Sequence, residues 1–271
     1  MIKRLTIASV VMLFAFGAIA QVPVPYITGF EASDGFIAGQ TINGVDGWAV
    51  VSEGTPDAKV TNAVAQSGTL SVALEANCTI DKKLTAVGKT KVWMEGYFRG
   101  SGTTAAPSFP ATPAASAIVF FSATDGIMCL NGNKSGGVTS WEKANVALDP
   151  AQWYKITILQ DYSAKTWRCW VNDVAAPDMD LGFRDSIDSL SGFRNYADTE
   201  SWLDTFCVIP AAMGDSNADG RVDVSDVVTI VNDPDGTAFG VIQFKNTDVD
   251  DNASIDGDDL NGVVAIILSR P

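Results

Sequence analysis

Trp153-Tyr-Lys-Ile-Thr-Ile-Leu-Gln-Asp161 and Thr166-Trp-Arg-Cys-Trp-Val-Asn172-Asp173 flank the polar turn Tyr162-Ser-Ala-Lys165. Both runs are rich in β-branched and aromatic residues, and a short polar break between such runs reads as a hairpin. In the second run Trp167, Cys169 and Val171 share one face, and Arg168, Trp170 and Asn172 share the other. A period of two with one apolar side is the signature of a strand lying on a core.

The same reading extends outward. Residues 70–74, 92–98, 118–122, 126–130 and 202–209 are further short runs rich in Val, Ile, Phe, Trp and Thr, bounded by Gly, Asn, Asp and Pro clusters. Residues 100–115, rich in Gly, Thr, Ala and Pro, read as a long loop between strands. Helical periodicity is absent, so residues 24–210 are expected to form one β-sandwich. Together with Gly29-Phe-Glu31 at the start and Ser201-Trp-Leu-Asp204 at the end, the hairpin resembles a concanavalin-A-like or laminin-G-like jelly roll. Another sandwich of the carbohydrate-binding-module kind is the alternative.

In Lys91-Val-Trp-Met-Glu-Gly-Tyr-Phe-Arg99, Val92, Met94 and Phe98 point one way and are expected in the core. Lys91, Trp93, Glu95, Tyr97 and Arg99 point the other way. Aromatic rings stack on the C–H faces of sugars while Arg, Glu and Asn bond the hydroxyls. The resemblance implies a glycan on the concave sheet, which makes Trp93, Glu95, Tyr97, Arg99, Arg168 and Trp170 the candidate carbohydrate face. The competing reading buries these aromatics under loops and leaves the charges solvated.

The chain has no histidine, which removes Ser-His-Asp and Cys-His catalysis and His-ligated zinc. Jelly-roll glucanases usually carry a Glu-x-Asp-x-(x)-Glu motif, and the sequence has none. Glu95 is a lone carboxylate on its face, and a retaining glycosidase needs two. A lyase could use Tyr97 with Arg99 or Arg168, but no catalytic residue is assigned.

Beyond residue 210 the pattern changes. Asp215-Ser-Asn217-Ala-Asp219-Gly220-Arg-Val222-Asp223-Val-Ser-Asp226 is matched 33 residues later by Asp248-Val-Asp250-Asp-Asn252-Ala253-Ser-Ile255-Asp256-Gly-Asp-Asp259. Both place side-chain oxygens at positions 1, 3, 5, 9 and 12. Ca²⁺ takes about 6–8 oxygen ligands around a tight loop, and this spacing supplies them. The expected ligands are Asp215, Asn217, Asp219, the Arg221 carbonyl, Asp223 and Asp226 for one ion. For a second they are Asp248, Asp250, Asn252, the Ser254 carbonyl, Asp256 and Asp259. Gly220 permits the left-handed turn at position 6. Ala253 stands there in the second loop at a cost of about 1 kcal/mol, so a weaker or reshaped second site is expected.

An apolar stripe follows each loop: Val227, Ile230 and Val231, then Leu260, Val263, Val264 and Ile267. Both predict amphipathic helices. Val222 and Ile255, both at position 8, are expected to form a short β contact. No helix is expected before either loop, and residues 233–247 read as a linker. A standard EF-hand has helices on both sides and Glu at position 12. One helix per loop and Asp at 12 instead resemble a type I dockerin, a paired F-hand module, over residues 214–271. The alternative, a calcium repeat of the thrombospondin kind, lacks the helices and usually carries cysteines. The resemblance implies a cohesin-like partner, contacted in part by positions 10 and 11, here Val224-Ser225 and Gly257-Asp258. The two copies differ there, which puts two-way binding in doubt.

Met1-Ile-Lys3-Arg4, an apolar run to Ala20 and the Ala18-Ile-Ala20 site before Gln21 read as a signal peptide over residues 1–20. Export to the extracellular space or cell surface is expected, with no membrane span in the mature chain. Loss of Lys3 and Arg4 takes the net charge from −14 to −16. Such acidity speaks against binding nucleic acid or anionic membranes. Cys78, Cys129, Cys169 and Cys207 allow either two disulfides or buried free thiols.

The fold class is therefore mainly β, a jelly-roll sandwich over residues 24–210 followed by a small helical calcium-binding segment over 214–271. Three functions fit: a non-catalytic glycan-binding or adhesive protein held in an assembly by its dockerin, a dockerin-bearing polysaccharide hydrolase or lyase, and a calcium-dependent, self-associating structural subunit.

Overall fold

A computed structural model describes residues 21–52, 55–104 and 114–270. The expected signal peptide and most of the 100–115 loop lie outside the described residues. Among the described residues the chain is mainly β, with three α-helices, all beyond residue 220: α1 (Val224–Asn232), α2 (Val241–Thr247) and α3 (Gly257–Leu268).

The hairpin organises the large sheet. Tyr154–Asp161 and Thr166–Val171 pair antiparallel, with Asp161 opposite Thr166 across the turn. Lys91–Gly100 pairs antiparallel along the other edge of Tyr154–Asp161, and Ser201–Pro210 pairs beyond it. Ser71–Leu74 and Ala58–Thr61 extend this sheet, while Tyr26–Thr28 pairs with the last part of Ser201–Pro210.

A second sheet is built on Cys78–Thr85 with Gly192–Ala197, Trp48–Val50 and Val22–Pro23. A third joins Val119–Ser122, Gly126–Gly132 and Val138–Lys143. Both contribute to one apolar core with the large sheet, which makes the fold a β-sandwich. Trp48 and Ile80 from the second sheet, Ile127 and Cys129 from the third, and Ile156, Trp167, Cys169 and Phe206 from the large sheet all belong to that core. Trp48 packs edge-on to Phe206 at 5.6 Å, and Phe121 packs edge-on to Tyr154 at 5.7 Å.

The expected faces are realised. Trp167, Cys169 and Val171 are buried, as is Val92, and Met94 and Phe98 pack against the same core. The four cysteines are free thiols, three of them buried and Cys207 partly so.

The C-terminal expectations need three corrections. Residues 233–247 are not only a linker, because α2 lies there and runs directly into the second loop. Its Val241 and Ile242 are buried against the large sheet, so a seven-residue helix is held by tertiary contact rather than by an amphipathic period. Val222 and Ile255 are both buried, but no β bridge joins them among the described residues. Val231 is not part of the helix's buried side. Ile230 is buried, while Val231 is 60% exposed. The small core of this segment is Ile230, Ile255 and Val263, flanked by Val227, Phe239, Phe244, Val249, Leu260 and Ile267.

Candidate calcium loops and the outer sheet face

The two acidic loops fold on nearly the same hydrogen-bond pattern. At position 1, Asp215 accepts the N–H groups of Asp219 and Gly220, both at 3.0 Å. Asp248 accepts those of Asn252 and Ala253 at 3.0 and 3.1 Å. At position 5, the Asp219 carboxylate accepts the N–H of Arg221, and the Asn252 side-chain oxygen accepts that of Ser254. At position 9, Asp223 and Asp256 cap α1 and α3, accepting the N–H groups of Ser225 and Asp258. At position 12, Asp226 and Asp259 complete capping boxes by accepting the N–H groups of Asp223 and Asp256. The other oxygen of each reaches back into its loop, to the Asn217 N–H at 3.1 Å and the Val249 N–H at 2.7 Å.

The backbone repeats as well. Position 4 is left-handed in both loops (Ala218 φ 58°, Asp251 φ 57°), and so is position 6 (Gly220 φ 84°, Ala253 φ 63°). Ala253 thus adopts the strained turn expected of it.

This arrangement fits a hard cation. Carboxylate oxygens of Asp248, Asp250 and Asp259 lie within 4.8 Å of one another. Asp215, Asp226 and Asp259 are fully buried. Burial, with Asp226 and Asp219 close by, pushes the Asp215 carboxyl up to about 7. Carboxylates gathered this closely repel one another unless they share a proton or a cation. Ca²⁺ would neutralise them, held by the side chains at positions 1, 3, 5, 9 and 12 and by the carbonyls of Arg221 and Ser254.

The outer face of the large sheet is arranged by register. Across neighbouring strands, Trp202 lies opposite Arg99, Asp204 and Lys155 lie on either side of Tyr97, and Thr157 lies opposite Glu95. Thr157 Oγ1 donates to Glu95 Oε2 at 2.6 Å. Burial raises the Glu95 carboxyl and also the Tyr97 hydroxyl above their ordinary values. Burial pulls Lys155 down, but Asp173, 2.5 Å away, and Glu95 more than offset it and hold the ammonium above its usual range. Arg99 sits over the Trp202 ring at 5.2 Å, and its Nε donates to the Pro150 carbonyl.

The six residues of the expected sugar face do not form one open platform. Trp93 and Trp170 are 2% and 7% exposed. Their rings lie 5.4 Å apart and form a small core with Ile209 and with Val241 and Ile242 of α2. Trp93 Nε1 donates to Asn246 Oδ1 at 3.0 Å. The C-terminal segment therefore occupies that end of the face, and burying apolar area outweighs leaving two indoles in water. Arg168 is exposed but tied to Asp180 at 2.6 Å. Glu95, Tyr97 and Arg99 remain together, half-buried, with Trp202 beside them. Trp202 was not among the expected site residues, since only strand register reveals that it faces Arg99.

No protein-family model matches the chain, and no curated protein matches it. Among solved structures it is similar to a cellulose-induced protein, Cip1, at 16% identity over 68% of this chain and 96% of that one, with a TM-score of 0.43. It is also similar to an endo-β-1,4-glucuronan lyase from the fungus Trichoderma reesei, at 12% identity over 60% and 91%, TM-score 0.44. A xylan-binding domain from Paenibacillus barcinonensis matches at 17% identity over 70% and 96%, TM-score 0.31. These TM-scores are below 0.5, so the sandwich rests on its own strand pairing and no ligand is inferred from these structures.

Proposed function

We propose that this is an exported, non-catalytic glycan-binding protein that joins an extracellular assembly through a calcium-dependent, dockerin-like C-terminus. The observation that carries the reading is the repeated loop: two acidic turns on nearly one hydrogen-bond pattern, each capping a helix with Asp at positions 9 and 12. A second feature supports attachment. Val224, Val228 and Val231 form an apolar stripe along α1 and are 66%, 52% and 60% exposed. Val224 is position 10 of its loop, so the stripe begins where the dockerin resemblance places partner contact.

The sandwich, read as a jelly roll of the concanavalin-A-like kind, would present its glycan site on the open part of the outer face. Tyr97 and Trp202 supply rings, and Arg99 supplies donors to sugar oxygens. The hydrolase or lyase alternative centres on Glu95. The carboxylate that acts on it, Asp173, is already engaged by Lys155, and Asp204, opposite Tyr97, is engaged by the N–H groups of Gln66, Ser67 and Thr205.

Two assays on the intact chain test this. A type I cohesin domain should bind in calcium and release in chelator, and Val228→Asp should abolish the complex. Soluble polysaccharides in native gels should retard the protein, and Trp202→Ala should weaken that about tenfold. Failure of every cohesin and every polysaccharide to bind would overturn the reading. Release of reducing ends or unsaturated products would instead establish the enzyme, and calcium-driven self-association without a cohesin would establish the structural subunit.

A further inference from the structure

The first acidic loop is built into the seam between the large sheet and the helices, whereas the tip of the second is not. Ala218, at position 4, packs against the small core of Trp93, Trp170, Ile209, Val241 and Ile242. Gly220, at position 6, lies against the sandwich so closely that a β-carbon there would come within 2.7 Å of Pro25 Cβ. The start of this loop is also tied to the end of α2, where the Gly214 N–H donates to the Asn246 carbonyl at 2.6 Å. The other end of α2 is held by the sandwich, the Val241 N–H donating to Asp173 Oδ1 at 3.3 Å. In the second loop, residues 250–254 are all exposed.

The contacts at 218 and 220 require the left-handed turns on which an ion in the first loop would depend. The turn that gathers Asp215, Asp219 and Asp226 is the turn that presents Ala218 to that small core and lays Gly220 on Pro25. Without a cation, the crowded carboxylates favour a wider loop, and a wider loop withdraws both contacts.

We infer that calcium binding in the first loop and seating of the C-terminal segment on the Trp93–Trp170 face form one linked equilibrium. The aromatic end of the large sheet is then a calcium-dependent docking surface for the chain's own C-terminus, which fixes the direction in which α1 faces a partner. This inference rests on the calcium reading proposed above. Linkage is reciprocal: by whatever factor calcium favours the seated form, seating raises the affinity for calcium. A ligand moves such an equilibrium only through its differential affinity for the two states, and the partly buried turn of the first loop differs more between them than the exposed tip of the second.

The experiment is a calcium titration of the intact protein by calorimetry, paired with hydrogen exchange over residues 91–97 and 241–247. The wild-type chain, Trp93→Ala and Ile242→Asp are compared. The two variants change the seam from opposite sides, and neither residue belongs to the sandwich core. In the wild-type protein, calcium is expected to slow exchange in both segments. In each variant one ion should bind about tenfold more weakly and the other within about twofold of wild type. Unchanged affinity for both ions in both variants, or equal protection of 241–247 in calcium and in chelator, would overturn the inference and leave the calcium sites standing. A wild-type chain that binds no calcium would remove the calcium reading itself.

Discussion

Asp226→Ala combined with Asp259→Ala is expected to unfold the three helices while leaving residues 21–210 folded. Each carboxylate is fully buried and holds two main-chain N–H groups of its own loop. Each also completes a capping box on the helix that follows. Loss of a cap costs about 1 kcal/mol, and leaving the partly buried N–H groups unpaired adds to that cost. If the loops hold calcium as proposed, the same substitution also removes the position-12 ligand of each ion. Calcium at a thousandfold excess over Kd contributes about 4 kcal/mol to a fold that only the native state can load. The helical segment has little to set against these losses, since its core is Ile230, Ile255 and Val263 with a partly buried fringe. Segments this small depend on a metal or a disulfide for much of their stability. Circular dichroism should therefore lose its 222 nm minimum in the double variant, while the β signal and the main thermal transition persist.

Trp93→Ala should release the C-terminal segment from the sandwich without melting either. Trp93 faces away from the sandwich core, packs at a tilt against Trp170 and bonds Asn246. Truncating a buried tryptophan costs about 3–5 kcal/mol, and that cost falls on the seam. The partners left behind, Trp170, Ile209, Val241 and Ile242, are too few to hold seven-residue α2 in place. In calcium, scattering should give a larger radius of gyration than wild type. Protease should cut near residues 211–213, which are half-buried or exposed even in the seated form. A compact, protease-resistant variant would show that the seam contributes little.

Much of the fold is legible in the sequence because it is local. The hairpin turn, the period of two in residues 91–99 and 166–172, and the spacing of acidic residues in each loop depend on neighbours a few positions apart. What covers a strand face is not local. Alternation correctly separates Trp93 from Val92, yet nothing in it says that Val241 and Ile242, about 150 residues later, will lie over Trp93. The candidate sugar face therefore divides, with its Trp93–Trp170 end occupied and its Tyr97–Arg99 end open. Helix α2 escapes notice for the same reason, being short and held from outside. Trp202 escapes because the register of the last strand shifts between Asp204 and Cys207, where Thr205 takes a φ of 42°. A bulge of this kind resets which residues face outward, and composition does not reveal it.

The central claim is that residues 215–259 hold calcium and fold around it. The most direct test is to titrate Ca²⁺ into the metal-free intact protein while counting bound ions and following helicity at 222 nm. The account predicts about two ions per chain and a gain of helix that saturates with them. No calcium uptake, or uptake that leaves the helical signal unchanged, would contradict it.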